Sequence, residues 1–310
     1  MKAVITGATG AIGMALLQEL VAREWDVLVL CRKDSTRVAQ IPNNPHIRRA
    51  DCSLAQMCTF EPTEERYDVF FHLAWDGTIG DGRNDLYLQN KNVTYTLDAV
   101  ELASRLGCHT FVGAGSQAEY GRVEGKLNSK TPTHPENGYG MAKLAAGQMS
   151  RLLCEQKGIR QVWARILSVY GPFEGERSMV MSTLLKLRRG EVPAFTKGEQ
   201  IWDYLYSEDA ADALIAMAEK GKHGGVYCLG SGAPQPLATY IEEIRDAVSP
   251  GAEIALGAIP YAPGQVMYLC ADLTELTADT GFVPKTPFCE GIRKMVSWYD
   301  CTRLESKVRK

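Results

Sequence analysis

The sequence predicts an α/β protein built on a doubly wound parallel sheet with a smaller C-terminal part. Three observations predict it. Short apolar runs alternate with segments of helical periodicity from Lys2 to about Leu167. Glycines at 7, 10 and 13 separate the first run from the first helical segment. After Pro172 the strand–helix rhythm gives way to a mostly helical pattern.

Lys2-Ala3-Val4-Ile5 reads as a buried strand, Met14 to Ala22 as a helix, and Asp26 to Leu30 as a second strand. In such a unit the first glycine makes the turn tight. The second lets backbone approach a pyrophosphate, and the third lets helix and strand pack closely. The helix N-terminus offers free N–H groups and a positive dipole end to phosphate. Residues after the second strand then choose between ribose hydroxyls and a 2′-phosphate. Here Arg32 and Lys33 stand with Arg37 nearby and no carboxylate at the strand end, which favours NADP, with NAD as the alternative.

A third strand covers Ile47 to Cys52, and its Asp51 reads either as an adenine contact or as the N-cap of the next helix. Tyr67 to Ala74 is a fourth strand, and His72 within it reads as a packed polar residue. The Gly/Asp-rich loop from Trp75 to Arg83 faces the ligand crevice. Asp85 to Leu106 is a long helix, and His109 to Ala114 a fifth strand ending in Gly115-Ser116. A helix opens at Asn137-Gly138-Tyr139 and runs to about Gln156, and a sixth strand spans Gln161 to Leu167. Beyond it come a helix over Met179 to Arg189, a strand over Ile201 to Leu205, a helix over Ser207 to Lys220 and a strand over Val226 to Leu229. The helix and strand from Ser207 on read as returns to the main sheet. The remainder, through Lys310, reads as small helices and one short strand capping the crevice.

Composition narrows the class. At 310 residues the chain has length for one large domain or two modest ones. A formal net charge of -3 gives no reason to expect nucleic acid or a membrane surface as partner. No apolar run reaches membrane-spanning length and no signal-peptide pattern opens the chain, so a cytoplasmic protein is expected. The nine cysteines form no CxxC pair and read as reduced thiols, and no metal site is expected.

Ser116, Tyr139 and Lys143 form the candidate catalytic group. A phenol ionises near pH 10, far from neutral. Tyr139 and Lys143 are one helical turn apart, so the lysine charge favours the phenolate and brings proton transfer nearer to ambient pH. Ser116, at an adjacent strand end, reads as a hydrogen-bond donor to the same substrate oxygen.

Taken together, the sequence resembles the extended short-chain dehydrogenase/reductase family, specifically its NAD(P)-dependent nucleotide-sugar epimerases, dehydratases and reductases. The residues that carry the resemblance are Thr6-Gly7-Ala8-Thr9-Gly10-Ala11-Ile12-Gly13, His72-Leu73-Ala74, Ser116 ahead of Tyr120-Gly121, Tyr139-x-x-x-Lys143, Arg165-x-x-Ser168-Val169-Tyr170-Gly171-Pro172, Asp203-Tyr204, Leu229-Gly230-Ser231-Gly232 and Asp272. It implies an NADP-binding Rossmann domain over 1–171, with returns at about 199–231. A substrate-binding domain would span 172–198 and 232–310. The cofactor contacts it implies are Gly7, Thr9, Gly10, Ala11, Ile12, Gly13, Arg32, Lys33, Asp51, Cys52, Leu73, Ala74, Tyr139, Lys143 and Ile166. For a nucleotide-sugar substrate it implies Trp75, Ser116, Gln117, Ser168, Arg177 and Trp202. It also implies a homodimer joined by the helices near 86–106 and 139–156.

Departures from the family pattern narrow the reaction. The 4,6-dehydratases carry an acidic pair after the position of Ser116, and here stand Gln117 and Ala118. The epimerase-reductases that make GDP-fucose carry a cysteine where Ala118 stands. Relatives commonly place arginines at the positions of Trp202 and Ala262 to clamp the diphosphate; Arg177 or Arg189 is then left to hold it. The stretch from Leu256 to Met267 resembles bacterial reductases of CDP-linked 4-keto-6-deoxyhexoses. The expected activity is therefore NADPH-dependent reduction of a nucleotide-linked 4-keto-6-deoxyhexose at C4, with Tyr139 as proton donor. A 4-epimerase that retains NAD(P) is the alternative, and a non-catalytic NADP sensor of the same fold is a second.

Overall fold

The structure, a computed structural model, describes residues 1–62 and 65–308, so the last two residues of the expected C-terminal part lie outside it. β1 (Lys2–Thr6), α1 (Ala11–Ala22), β2 (Asp26–Cys31) and β3 (Ile47–Asp51) come first. β4 (Val69–His72), α2 (Leu86–Arg105), β5 (Thr110–Ser116), α3 (Gly138–Gln156) and β6 (Arg160–Ile166) continue the alternation. After β7 (Ser168–Tyr170) and α4 (Met179–Arg188) come β8 (Ile201–Trp202), β9 (Tyr204–Tyr206), α5 (Ser207–Lys220) and β10 (Gly225–Leu229). The chain closes with β11 (Gln235–Pro236), α6 (Leu237–Val248), α7 (Thr274–Thr280) and α8 (Phe288–Val308).

Seven strands form one parallel sheet in the order β10-β6-β5-β4-β1-β2-β3. Both faces are covered, which is why β1, β2 and β4 read as apolar runs; β3, at the edge, carries Arg48 and Arg49 exposed. Side chains alternate across each strand, so Ala3 and Ile5 of β1 join a core beneath α1 and α5. Val4 instead joins the core beneath α2 and α3. Chain order reverses between β1 and β4, and a ligand crevice is expected beyond the C-terminal ends of strands at such a switch point.

Of the expected returns, α5 packs beside α1 and β10 pairs with β6. The strand expected over 201–205 is instead two short strands outside the main sheet. β8 pairs with β11 and β9 pairs with β7. The break falls at Asp203, whose fully buried carboxylate accepts hydrogen bonds from the backbone N–H groups of Ser231, Gly232 and Ala271. Those bonds fix the residue out of strand register.

The C-terminal part is more regular than its expected small helices. α8 is 21 residues long and buries Phe288, Ile292, Met295 and Val296, at helical spacing, in a third core. α6 adds Tyr240, Ile244 and Val248, and α4 adds Val180, Met181, Leu184 and Leu187. Among the described residues no helix is long and apolar enough to cross a membrane.

Candidate active site

The glycine turn is built by close approach. Gly7 has φ +80°, and a Cβ there would come within 2.7 Å of Ala74 N. A Cβ on Gly13 would strike the Gly7 carbonyl, so only glycine lets α1 sit this near β1. Gly10 differs, because a Cβ there would meet nothing nearer than Gly7 O at 3.9 Å. The space kept clear at Gly10 is a cleft. The first turn of α1 has no side-chain cap and no acidic residue, so its N–H groups stay available to an anion.

One part of the cleft is lined by the turn from Thr6 to Gly10, with Arg32, Arg37, Cys52 and Ala74. Thr9 lies on this wall. The adjoining part, of about 370 Å³, shares Gly7, Gly10, Arg37, Leu73 and Trp75 with it. It adds Ala11, Ile12, Gly13 and Ile166, and it brings Ser116, Tyr139 and Lys143 together. The residues present thus fit a dinucleotide, with cleared backbone at the turn and cations beyond β2.

Lys33 and Asp51 do not line this cleft. They border a separate depression with Arg48 and Arg49. Asp51 does not cap the next turn either; Ser53 does, through a capping box with Gln56. Arg37 stands with Arg32 where Lys33 was expected. Among the expected sugar contacts, Trp75 and Ser116 line the cleft and Gln117, Ser168, Arg177 and Trp202 do not. Trp202 Nε1 donates to Ser168 Oγ at 2.9 Å, so those two satisfy each other. Arg177 is exposed, and Arg189 is paired with Glu191 at the surface.

Three elements aim the catalytic candidates. Asn137 caps α3 by accepting from Gly140 N at 2.8 Å, which sets Tyr139 in the first turn and Lys143 one turn on. Lys143 is buried, and its Nζ donates to Ala114 O at 2.6 Å. Ser116 ends β5, and its N–H donates to Glu119 Oε1 at 2.8 Å. That carboxylate is fully buried. It also accepts from Trp163 Nε1 at 3.0 Å and pairs with Arg165 at 2.7 Å. A Cβ on Gly115 would strike the Trp163 indole, so the glycine before Ser116 makes room for this network.

The electrostatics differ from expectation. Burial holds the Tyr139 phenol above its usual value, while a Ser116 hydrogen bond and the Arg83 charge pull it down. The cation on the ring is Arg83, whose guanidinium carbon lies 4.3 Å from the Tyr139 centroid. Lys143 Nζ is 5.8 Å from that centroid, and burial pushes its own pKa down to about 7. In this state burial outweighs the expected push of Lys143 toward the phenolate.

Four residues of the site were not expected from the sequence: Glu174, Glu119, Arg83 and Gln89. For Glu119 a signal existed, since Ser116-x-x-Glu119 is a capping-box pattern and the structure forms that box. Arg83 ends the Gly/Asp-rich loop expected to face the crevice, whereas Glu174 and Gln89 carry no local pattern.

Residues 3–230 match the family model described as the NAD dependent epimerase/dehydratase family. The chain belongs to that family. It is an enzyme family, and the fold here is that of its extended short-chain dehydrogenase/reductase members. A dTDP-glucose 4,6-dehydratase of Haemophilus influenzae is 22% identical over 333 residues, covering 96% of this chain and 98% of that protein. Among solved structures, a UDP-glucose 4-epimerase of Thermotoga maritima superposes with TM-score 0.85 at 22% identity, covering 98% of this chain and 100% of that one. RMD from Pseudomonas aeruginosa, complexed with NADPH, gives TM-score 0.80 at 20% identity, covering 97% and 99%.

Within this family member, Glu174 stands on the cleft wall just after Phe173, a non-glycine residue at φ +64°. Its Oε2 is buried and finds no hydrogen-bond partner among the described residues, and burial pushes the carboxyl from its ordinary 4.5 up to about 7. An acid raised on folding binds more protons folded than unfolded. The fold therefore loses stability as pH rises from about 4.5 through about 7. Glu174→Gln removes that loss. Urea unfolding at pH 5 and pH 8 should show the variant gaining about 2 kcal/mol on the wild type between the two. An equal difference at both pH values would place the carboxyl in an ordinary environment.

Proposed function

We propose that this enzyme reduces a nucleotide-linked 4-keto-6-deoxyhexose at C4, using NADPH. One observation carries the reading: Ser116, Tyr139 and Lys143 meet in a cleft whose continuation holds Arg32 and Arg37 beyond the glycine turn. The convergence of all three favours catalysis over mere sensing of the cofactor. Gln117 and Ala118 offer no acid and base for eliminating water, which disfavours dehydration. Basic residues without a carboxylate after β2 favour a 2′-phosphate, and net reduction draws on NADPH.

Bound NADPH supplies the hydride. The remaining work belongs to the chain. N–H groups at the start of α1 receive the pyrophosphate, and the open side of Gly10 admits it. The Ser116 hydroxyl and the Tyr139 phenol hold the carbonyl oxygen, which polarises the carbon. Tyr139 gives its proton to that oxygen as negative charge develops there. Lys143, with a pKa of about 7, holds a proton one helical turn away to restore the phenol. The cluster of α4, α6 and α8 serves as the substrate domain over the crevice.

We further propose a homodimer through α2 and α3. These helices pack together, and α3 leaves Met141, Met149 and Leu152 exposed.

The cofactor assignment has its own test. Arg32→Asp puts a carboxylate where the 2′-phosphate would sit. The preference for NADPH over NADH, measured by binding titration, should fall about tenfold or more. An unchanged preference would show that Arg32 does not read the phosphate. The reaction itself is tested by following NADPH while a nucleotide-linked 4-keto-6-deoxyhexose is turned over.

A further inference from the structure

Lys143 lies buried, and among the described residues no carboxylate is bonded to it. Its Nζ has one carbonyl partner, Ala114 O, and stands 3.7 Å from the centroid of the Trp75 ring. The acid whose charge reaches it is Glu119, and that carboxylate is already bonded to Ser116 N–H, Trp163 and Arg165. Glu174 lines the same cleft, but burial pushes its carboxyl up to about 7, and the nearer described groups supply no anion. Tyr139 is a phenol held above its usual pKa, Arg83 is a cation, and His72 is kept neutral by burial, with a pKa of about 3. A buried ammonium with so few partners is costly to keep charged, and an aromatic face is among the groups that offset the cost.

Trp75 is itself held in place. Its indole N–H donates to Gln89 Oε1 at 2.8 Å. Gln89 is buried, and its Nε2 donates to Gly77 O at 2.9 Å and to Gly82 O at 2.7 Å. Gln89 thereby ties the loop after β4 to α2 and fixes the plane of the indole. The other aromatic neighbour is Tyr139, met edge-on at 6.1 Å.

We propose that Trp75 is a positioning residue for Lys143, its ring face standing in for a counterion that keeps the ammonium charged and beside Tyr139. Contact with the sugar is then a secondary role for Trp75. The inference rests on the catalytic part proposed for Lys143, but its test reads the lysine without cofactor or substrate.

The experiment is an NMR titration of the intact protein carrying 13Cε-labelled lysine, with the Lys143 signal identified by its loss in Lys143→Met. The wild-type midpoint should lie far below that of an ordinary lysine. Trp75→Leu keeps the site dry but removes the π face, and its midpoint should fall by about one further pH unit. Trp75→Phe, with a smaller face, should fall between. Should Trp75→Leu not fold, Trp75→Phe alone decides, and its midpoint must lie below the wild type. A midpoint in either variant equal to or above the wild type would overturn the proposal and leave Trp75 as cleft wall. In turnover, the alkaline limb of kcat should move with the NMR midpoint; a limb that stays fixed while only KM rises would also overturn it. A shifted NMR titration in a protein that reduces no keto sugar would leave the inference standing and the reductase reading fallen.

Discussion

Tyr139→Phe should lower turnover by about a hundredfold or more while cofactor affinity stays within a few-fold of wild type. The substitution keeps the ring, and with it the edge-on contact to Trp75 and the stack beneath Arg83. It deletes only the hydroxyl. In the proposed reaction that hydroxyl supplies the proton as charge develops on the carbonyl oxygen. Ser116 remains to hold the oxygen, but its hydroxyl has no buried acid behind it, since the Glu119 carboxylate bonds to the Ser116 N–H. Loss in kcat with little change in cofactor binding is the signature of a group acting mainly in the transition state. Near-full activity in the variant would remove Tyr139 from the mechanism.

Arg165→Leu should destabilise the fold by about 3–5 kcal/mol, read as a lower urea midpoint. Glu119 and Arg165 are both buried and pair at 2.7 Å. Replacing the arginine leaves a buried carboxylate with two remaining donors, Trp163 Nε1 and Ser116 N. The cost is that of an uncompensated charge rather than of a lost attraction, so a second change clarifies it. Adding Glu119→Leu to Arg165→Leu should recover part of the loss, because the stranded charge goes too. The same pair fixes Ser116 from behind, so any folded Arg165→Leu should also show reduced kcat. A loss under about 1 kcal/mol would mean that water reaches the carboxylate.

Legibility in the sequence followed how local each feature is. Ser116, Tyr139 and Lys143 could be paired because a strand end and a helical i, i+4 spacing are local patterns. Most of the seven-stranded sheet was legible because its inner strands, such as β1, β4 and β5, are buried on both faces, whereas the edge strand β3 is partly exposed. Arg32 and Lys33 could not be told apart without register. Neighbouring residues leaving a strand diverge, and only Arg32 reaches the cleft while Lys33 lies beyond it. Asp51 and Cys52 part in the same way. The break at Asp203 depends on backbone from 231 and 271, far along the chain, so a continuous strand was the natural local reading. α8 was underrated although Phe288, Ile292, Met295 and Val296 carry its periodicity. The buried charges were missed for a different reason. Burial is a property of the assembled fold, and it is burial that moves Lys143 and Glu174 toward neutrality.

Net reduction consumes cofactor in step with product, so counting one against the other tests it. Purified enzyme is given NADPH and a nucleotide-linked 4-keto-6-deoxyhexose, with nicotinamide absorbance and product both followed. One NADPH should be oxidised per 4-hydroxy sugar formed, with no net consumption when a plain nucleotide hexose is supplied. Interconversion of 4-hydroxy epimers with the cofactor unchanged would contradict it and make the chain an epimerase.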